Sequence, residues 1–236
     1  MNARCVKSLS VFFPCFNEQD NVERVIKSAV DVLSPLKIDF EIIIVNDGSK
    51  DKTGEIADGI AAENKNIKVV HHNINRGYGA ALQSGFKAAT KEYVFYTDGD
   101  GQFDIKELPL LFKYMDDYDI VTGYRIERQD NLIRKTNAFC WTTMVNLLFG
   151  MKIKDMDCAF KLYRRSVFDN IKLESTGALI NTEIFARAKN KGYKIFQIGV
   201  HHYPRTAGVQ TGAKLTVILR AFKELFALYK QIKSDK

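Results

Sequence analysis

The segment FEIIIVNDGS, residues 40–49, decides the fold. Residues 40–45 form a mostly apolar strand of the kind that is buried on both faces of a parallel sheet, and 46–49 have the composition of a turn. On either side of this segment, apolar strands alternate with helices of 3.6-residue periodicity. The predicted strands are 9–13, 40–45, 67–71 and 93–97, and the predicted helices are 18–33, 53–64 and 77–89, the first capped by Asn17 or Asp20.

Strands that alternate with helices predict a parallel sheet with crossover helices. In such sheets, ligands bind beyond the carboxyl ends of the strands. Three polar loops follow predicted strands at this edge, namely residues 14–18, 46–49 and 98–102. We therefore expect the side chains of these loops to lie together and to form the functional site.

The second half of the chain is less regular. The predicted elements are helices at 107–115, 132–149, 181–191 and 214–232, strands at 120–123 and 193–200, and a mixed segment at 155–163 that could contain a strand. The last helix, 214–232, is amphipathic, with basic residues beside its apolar face, which suits an anionic surface, core packing or a dimer contact. Because no linker or repeat is visible, we expect one α/β domain over residues 1–236.

The composition is that of a globular protein. Of the 236 residues, 46% are hydrophobic and only 4 are prolines, which excludes collagen-like, low-complexity and wholly disordered chains. The 4 cysteines lie far apart without a C-x-x-C pair, so we predict no zinc site and expect reduced thiols in the cytosol. No stretch approaches the roughly 18 apolar residues of a membrane-spanning helix. The apolar run that ends at Pro14 is too short for a signal peptide, so we expect neither export nor an anchoring helix.

The net charge of +7 is unevenly distributed along the chain. Residues 1–120 contain 14 basic and 19 acidic side chains, a formal charge of −5, whereas residues 121–236 contain 21 and 9, a charge of +12. Basic surfaces attract phosphates, nucleic acid or anionic lipid. The basic residues are dispersed and lack an aromatic-basic module, so we expect no nucleic-acid partner.

The loop Asp98-Gly99-Asp100-Gly101-Gln102 carries the clearest chemistry. Two carboxylates two residues apart, with Gln102 next on the same side, can converge on one hard cation such as Mg²⁺ or Mn²⁺. A metal held there would bridge a diphosphate and neutralise the charge on that leaving group. For this loop taken alone, a solvated Asp-Gly turn is the alternative.

The other two loops offer groups that suit a nucleotide. Asp47, at the end of a strand, can accept hydrogen bonds from a base N–H or from ribose hydroxyls. Phe16 offers an aromatic ring for stacking, and Asn17 and Glu18 offer polar contacts. Each of these segments taken alone is equally consistent with a turn or a helix cap.

The order of the motifs is more informative than any one of them. The chain reads Pro-x-Phe-Asn-Glu at 14–18, Asn-Asp-Gly-Ser at 46–49, Asn-Arg-Gly-Tyr-Gly at 75–79 and Asp-Gly-Asp-Gly-Gln at 98–102. This order resembles the inverting family 2 glycosyltransferases with the GT-A fold, and among them the dolichyl- or polyprenyl-phosphate sugar synthases, such as the dolichol-phosphate mannose synthases. The likeness continues through 123–125, 155–165, Glu183 and 202–205, and covers residues 8–212.

The resemblance implies a nucleotide-diphospho-sugar transferase fold, with a Rossmann-like, mostly parallel sheet flanked by helices, and it implies roles for individual residues. The implied donor-binding residues are Pro14, Phe16, Asn17, Glu18, Asp47, Ser49, Gly77, Asp98, Asp100 and Arg205, with Arg205 closing on the donor diphosphate from a mobile loop. The implied metal ligands are Asp98, Asp100 and Gln102. The implied catalytic residues are Asp100, Arg125 and Asp157, and the implied contacts for an acceptor phosphate are Arg125, Arg134 and Lys135.

The implied function is metal-dependent, inverting transfer of a sugar from a nucleotide-sugar, GDP-mannose or a UDP-sugar, to a polyprenyl or dolichyl phosphate. A phosphate oxygen is already anionic at neutral pH, so this transfer needs charge screening and positioning rather than a strong base. The +12 half would supply that screening. The resemblance also implies a cytoplasmic protein, peripheral at the inner face of the membrane, with a membrane surface, a membrane-protein partner and a homo-oligomer all compatible with it.

Two alternatives stay open. The same fold could act on a soluble or glycan hydroxyl, with Asp155 or Asp157 as the general base. The chain could also be a non-catalytic nucleotide or nucleic-acid binder. Three departures from the family pattern bear on these alternatives. Asn46 stands where an Asp is common, and Ala159-Phe160-Lys161 stands where Gly-Phe-Arg is usual. The usual Arg-x-x-Gly-x-Ser-Lys pattern is replaced by RTAGVQTG at residues 205–212.

Overall fold

A seven-stranded sheet organises the described residues. The computed structural model describes residues 6–126, 132–205 and 215–234, and within these the side chains of 132–135 and 215–223 lie outside the description. In chain order the elements are β1 (Ser8–Cys15), α1 (Val22–Leu33), β2 (Asp39–Asn46), α2 (Thr53–Glu63), β3 (Ile67–His71), α3 (Tyr78–Ala88), β4 (Tyr93–Thr97), α4 (Leu108–Phe112), β5 (Ile120–Ile126), α5 (Leu132–Phe149), β6 (Phe160–Arg164), α6 (Ile180–Asn190), β7 (Ile195–His201) and α7 (Leu215–Ser234).

The strand order is β3-β2-β1-β4-β6-β5-β7. β1 pairs in parallel with β2 and with β4, β2 pairs in parallel with β3, and β5 pairs in parallel with β7. β6 runs antiparallel to both of its neighbours, β4 and β5. The mostly parallel sheet flanked by helices is therefore confirmed. The reversed direction of β6 was not predicted, because the apolar residues of this strand are compatible with either direction between its two neighbours.

The sheet is buried on both faces, as the apolar strands predict. Successive residues of a strand point to opposite faces, and accordingly Phe12 and Phe13 belong to two different core clusters, as do Ile43 and Ile44. One cluster packs the sheet against α3, α6 and α7, and the other packs it against α1, α2 and α4. These two layers hold the carboxyl ends of β1, β2 and β4 in fixed positions.

The main correction to the predicted elements concerns α1. This helix begins at Val22 rather than at residue 18, because the Glu18 carbonyl accepts the amides of Asn21 and Val22, both at 2.9 Å, in a preceding turn. Asn21 occupies the N-cap position, and its side chain makes no capping hydrogen bond to the helix, so the prediction of a cap by Asn17 or Asp20 is wrong. None of the described helices combines the length and apolarity that a membrane crossing requires.

Candidate active site

The three polar loops meet at the carboxyl edge of the sheet, as predicted. The Asp47 amide donates to the Cys15 carbonyl at 2.9 Å, and the Gly99 amide donates to the Pro14 carbonyl at 3.3 Å. The approach at Gly99 is too close for a side chain, since a Cβ there would lie 2.4 Å from the Cys15 sulfur. The loops at 14–18, 46–49 and 98–102 therefore form one continuous surface around the ends of β1, β2 and β4.

Asp98 and Asp100 form the acidic centre of this surface. The Tyr78 hydroxyl donates to Asp98 Oδ1 at 3.0 Å, and Asp100 Oδ1 accepts the Gln102 amide at 3.0 Å. Burial, and then the nearby Asp100 carboxylate, raise the pKa of Asp98 to about 7, and burial also raises the pKa of Asp100. Two partly desolvated carboxylates that repel each other are stabilised by a divalent cation, so this pair fits the predicted metal.

Gln102 connects the loop at 98–102, called here the metal loop, to the segment that follows β7. Its side-chain Nε2 donates to the Tyr203 carbonyl at 3.0 Å, and its own carbonyl accepts the Tyr203 amide at 2.8 Å. In the described part of the chain, no group of three or more His, Cys, Asp and Glu side chains could hold a metal ion. The predicted ligation of a cation by Asp98, Asp100 and Gln102 stays a prediction.

We call the loops at 14–18 and 46–49 the nucleotide loops. Arg205 contacts both the first of these and the metal loop. Its guanidinium donates to Glu18 Oε1, and its Nη1 lies 3.7 Å from Asp100 Oδ2. The other carboxylate oxygen of Glu18, Oε2, accepts a hydrogen bond from the side-chain Nδ2 of Asn21 at 2.8 Å. An arginine in this position would meet a diphosphate bound beside Asp100. The mobile loop predicted to carry Arg205 continues into residues 206–214, which lie outside the described residues.

Asp47 is buried, and both of its carboxylate oxygens are bonded within the chain. Oδ1 accepts the Arg76 amide at 2.9 Å and lies 2.5 Å from His72 Nδ1, while Oδ2 accepts the Gly77 amide at 2.9 Å. These bonds anchor the segment that enters α3 and so bring Tyr78 to Asp98. The predicted contact of Asp47 with a nucleotide stays a prediction, and the structure shows in addition that Asp47 shapes the neighbouring segment.

The remaining predicted donor residues lie around this anchor. Asn17 is exposed, has a positive φ of 56°, and uses its side-chain oxygen to accept the Lys50 amide at 2.9 Å. Its own amide donates to the Ser49 hydroxyl at 3.0 Å, which ties the first loop to the second. Phe16 is half-buried at the rim of these loops, and Pro14 is buried in β1. Their contact with a nucleotide stays a prediction.

Arg125 and Asp155 form a largely buried ion pair. The guanidinium donates twice to the carboxylate, at 2.7 and 2.8 Å. Although burial opposes it, the Asp155 carboxylate holds the pKa of Arg125 above its ordinary value. A carboxylate clamped in this way is a poor proton acceptor, which argues against Asp155 as a general base. The neighbouring Asp157 is exposed instead.

The predicted acceptor residues Arg134 and Lys135 are described by their backbone alone. Arg134 and Lys135 belong to the first turn of α5, and their side chains lie outside the described residues. Their predicted contact with an acceptor phosphate therefore stays a prediction.

Sequence reasoning assigned no individual role to Tyr78, Lys161 or Glu183. Glu183 accepts the backbone amides of Glu174 and Ser175 and so anchors that loop. Tyr78 lies inside the quoted motif at 75–79, but only the folded chain brings it to Asp98. Lys161 is completely buried in β6, between Phe160 and Leu162. A lysine in such an apolar strand is a detectable signal, because lysine is almost never fully buried unless it is paired.

The family model of Glycosyl transferase family 2 matches residues 10–172, and the chain belongs to this family. It is accordingly a glycosyltransferase of the nucleotide-sugar type. The solved structures with a similar fold include glucosyl-3-phosphoglycerate synthase from Mycobacterium tuberculosis in complex with Mn²⁺, UDP and glucosyl-3-phosphoglycerate, with a TM-score of 0.64 and 19% identity over 98% of this chain and 78% of that chain.

Two further complexes of that enzyme are similar in the same way. The complex with Mn²⁺, UDP-glucose and glycerol 3-phosphate has a TM-score of 0.65 and 19% identity over 98% of this chain and 79% of that chain. The complex with Mg²⁺ and UDP has a TM-score of 0.66 and 18% identity over 98% of this chain and 78% of that chain. Together with the sheet order, these likenesses confirm the GT-A fold.

Proposed function

We propose that this chain transfers a sugar from a nucleotide diphosphate-sugar to a phosphate-bearing acceptor, with Mg²⁺ or Mn²⁺ held by Asp98, Asp100 and Gln102. The observation that carries the proposal is the cluster of Asp98 and Asp100 beside the two nucleotide loops, with Arg205 across them. The fold relatives support it, because they are solved with Mn²⁺ or Mg²⁺ and UDP.

Each residue of the cluster has a task in this reaction. When bound, the metal supplies charge that stabilises the diphosphate leaving group. Tyr78 orients Asp98 by donating to one of its oxygens, which leaves the other oxygen for the metal. Arg205 would exchange its bond to Glu18 for the donor diphosphate, with which a guanidinium can form two parallel hydrogen bonds.

A small phosphorylated molecule that reacts through a hydroxyl is the acceptor class supported by the solved relatives. One relative is solved with phosphoglyceric acid, and another complex contains glycerol 3-phosphate. A hydroxyl nucleophile needs a base, and the exposed Asp157 suits that task better than Asp155, whose carboxylate is bonded to Arg125.

A polyprenyl or dolichyl phosphate is the acceptor class supported by the motif order and by the +12 charge of the second half. Its phosphate oxygen would attack the sugar without a base, and the basic side chains would screen the charges of the two reactants. In this case the protein would act at the inner face of the membrane.

The decisive experiment measures transfer of radiolabelled sugar from GDP-mannose, UDP-glucose and other nucleotide-sugars, with Mn²⁺, to both acceptor classes. With a hydroxyl acceptor, Asp157→Asn should lower kcat by about 100-fold or more, because a general base is removed. With a lipid phosphate, the same change should cost only a few-fold. Asp169→Asn, an exposed acid paired with Arg165, is the matched control. Absence of transfer from every donor to both classes would overturn the proposal.

A further inference from the structure

Lys161 is a completely buried cation that no step of the proposed reaction uses. Its three N–H groups are shared among four acceptors, which are the Tyr96 hydroxyl and Asn181 Oδ1, each 3.1 Å from Nζ, the Met156 carbonyl at 3.4 Å, and the Cys158 carbonyl. The ammonium also lies 5.4 Å from the ring centroids of Tyr96 and Phe185. Its charge is thus surrounded by oxygen atoms and aromatic faces instead of water.

The two carbonyls are the most informative partners, because they belong to the residues on either side of Asp157. The other two partners are Tyr96, on β4, two residues before the metal loop, and Asn181, on α6. The Tyr96 hydroxyl donates to Asn181 Oδ1 at 2.5 Å. Tyr96 is also the residue that faces Lys161 across the β4–β6 pairing. One ammonium therefore links β4, the strand that ends just before Asp98, to the turn that contains Asp157.

A buried ammonium is costly unless its hydrogen bonds are complete, so a merely structural position would favour an apolar residue. Burial lowers the pKa of Lys161 to about 8, yet the three acids at 98, 155 and 157 oppose this shift, and the group stays largely protonated at neutral pH. The compact ammonium of lysine can reach two carbonyls of one turn at once, whereas a planar guanidinium would need a wider arrangement of acceptors.

We infer that Lys161 is a positioning residue, which holds Asp157 at a set place relative to the metal loop by binding the carbonyls of Met156 and Cys158. The inference rests on the proposed function for its catalytic consequence. The structural part, an ordered 155–159 turn that depends on the ammonium, is independent of that function.

The structural part is tested by amide hydrogen exchange of the full-length chain. In Lys161→Met, peptides covering 155–160 should exchange at least about tenfold faster than in the unchanged protein, because two carbonyls of the turn lose their donor. Peptides of β1 and β2 should be unaffected. Lys152→Met, a change at an exposed lysine of the same region, is the control. Unchanged exchange at 155–160 in Lys161→Met would overturn the inference.

The catalytic part is tested by a double-mutant cycle with a hydroxyl acceptor. Lys161→Met should lower kcat by about 100-fold, as expected for a misplaced catalytic group, and leave the affinity for nucleoside diphosphate and Mn²⁺ unchanged. In the Asp157→Asn background the same change should cost less than about threefold, because the group it positions is already absent. Equal losses in both backgrounds would overturn the catalytic part.

The outcomes separate this inference from the proposed function. If the chain transfers no sugar at all, the proposed function fails, while the hydrogen-exchange result still decides whether Lys161 orders the turn. If Lys161→Met does not fold, Lys161→Gln keeps a neutral hydrogen-bond donor in place of the ammonium. It should raise exchange at 155–160 by a smaller factor, and unaltered exchange there would equally overturn the inference.

Discussion

Two buried carboxylates, one in each half of the chain, hold the loops that meet at the start of α3. In the first half, Asp47 accepts the amides of Arg76 and Gly77. In the second half, Glu183 accepts the amides of Glu174 and Ser175, the latter at 2.7 Å. The two loops touch: a Cβ on Gly77 would lie 2.7 Å from the Thr176 carbonyl oxygen. The start of α3, and with it Tyr78, is thus set from both halves.

The two anchors differ in the group that faces the carboxylate. Glu183 bonds to Arg187 at 2.9 Å, one turn further along the same helix, so that pair is formed by α6 alone. Asp47 faces His72, on a loop that follows β3, so that pair exists only when β2 and β3 are aligned. The second-half pair is therefore local, with an arginine on the same helix as the partner, whereas the first-half pair depends on the sheet and has a histidine as the partner.

The largest expected loss of activity comes from removing a carboxylate of the metal loop, compared with removing another carboxylate of the first half. Asp100→Asn should lower transfer by about 100- to 1,000-fold, because charge stabilisation of the leaving group is lost. It should also abolish the Mn²⁺-dependent increase in melting temperature with a nucleoside diphosphate. Asp104→Asn is the matched control, since Asp104 caps a short 3-10 helix four residues further along. Equal losses in both variants would contradict a metal role for Asp100.

The two anchors can be compared directly by removing the charge of each. Asp47→Asn and Glu183→Gln should each lower the free energy of unfolding by about 1–3 kcal/mol, because an amide NH₂ replaces an oxygen that accepts a buried backbone amide. Urea unfolding measures this loss. Only Asp47→Asn should also weaken nucleoside diphosphate binding, which isothermal titration calorimetry measures. A binding loss of the same size in Glu183→Gln would show that the anchors act as one unit.

A smaller effect is expected from the charge of Asp98 in the metal-free protein. Because the folded-state pKa, about 7, is raised above the ordinary value, the folded state binds more protons than the unfolded state between these values. Stability should therefore fall as pH rises through this window. Asp98→Asn removes the effect, so its melting temperature at pH 8 should be a few degrees above that of the unchanged protein. A lower melting temperature for Asp98→Asn at pH 8 would contradict this sign.

The smallest effect is expected at Asn46, where the family commonly has an Asp. Asn46 Oδ1 accepts the Ser49 amide at 3.1 Å, and Nδ2 lies 3.0 Å from His71 Nδ1. In Asn46→Asp the first bond is kept, and a protonated His71 can donate to the new carboxylate. A protonated imidazole beside a carboxylate forms an ion pair, so the variant should gain about 0–1 kcal/mol of stability at acidic pH relative to its stability at pH 8. Urea unfolding at pH 5.5 and 8 measures it, and a loss at both values would contradict it.

Much of the first half could be predicted from its sequence, because each strand and loop there is signalled by its own residues. The strands at 67–71 and 93–97 have the predicted bounds, and the three polar loops follow from the rule that parallel strands end at one edge. The start of α1 was missed, since the turn at Glu18 is made by backbone hydrogen bonds that leave little trace in residue type.

The second half shows why the rest could not be predicted. The Arg125–Asp155 pair joins residues 30 positions apart, and Lys161 reaches Asn181 on another element. Pairs of this kind depend on how β5, β6 and α6 pack, and neither residue of a pair signals its partner. The alternatives Asp155 and Asp157 were equivalent as sequence, and the structure distinguishes them by the burial of Asp155 and by the two hydrogen bonds that Asp155 accepts from Arg125.

Local sequence was enough for the alternating strands and helices, for the acidic loop after β4, and for membership of the family, because each of these depends on periodicity or on neighbouring residues. Tertiary packing decided the antiparallel direction of β6 and the hydrogen bond from Tyr78 to Asp98. It also decided the burial of the Lys161 ammonium beside the turn that contains Asp157. The physical reason is that a hydrogen bond or an ion pair between distant residues forms only after the hydrophobic layers have brought them together.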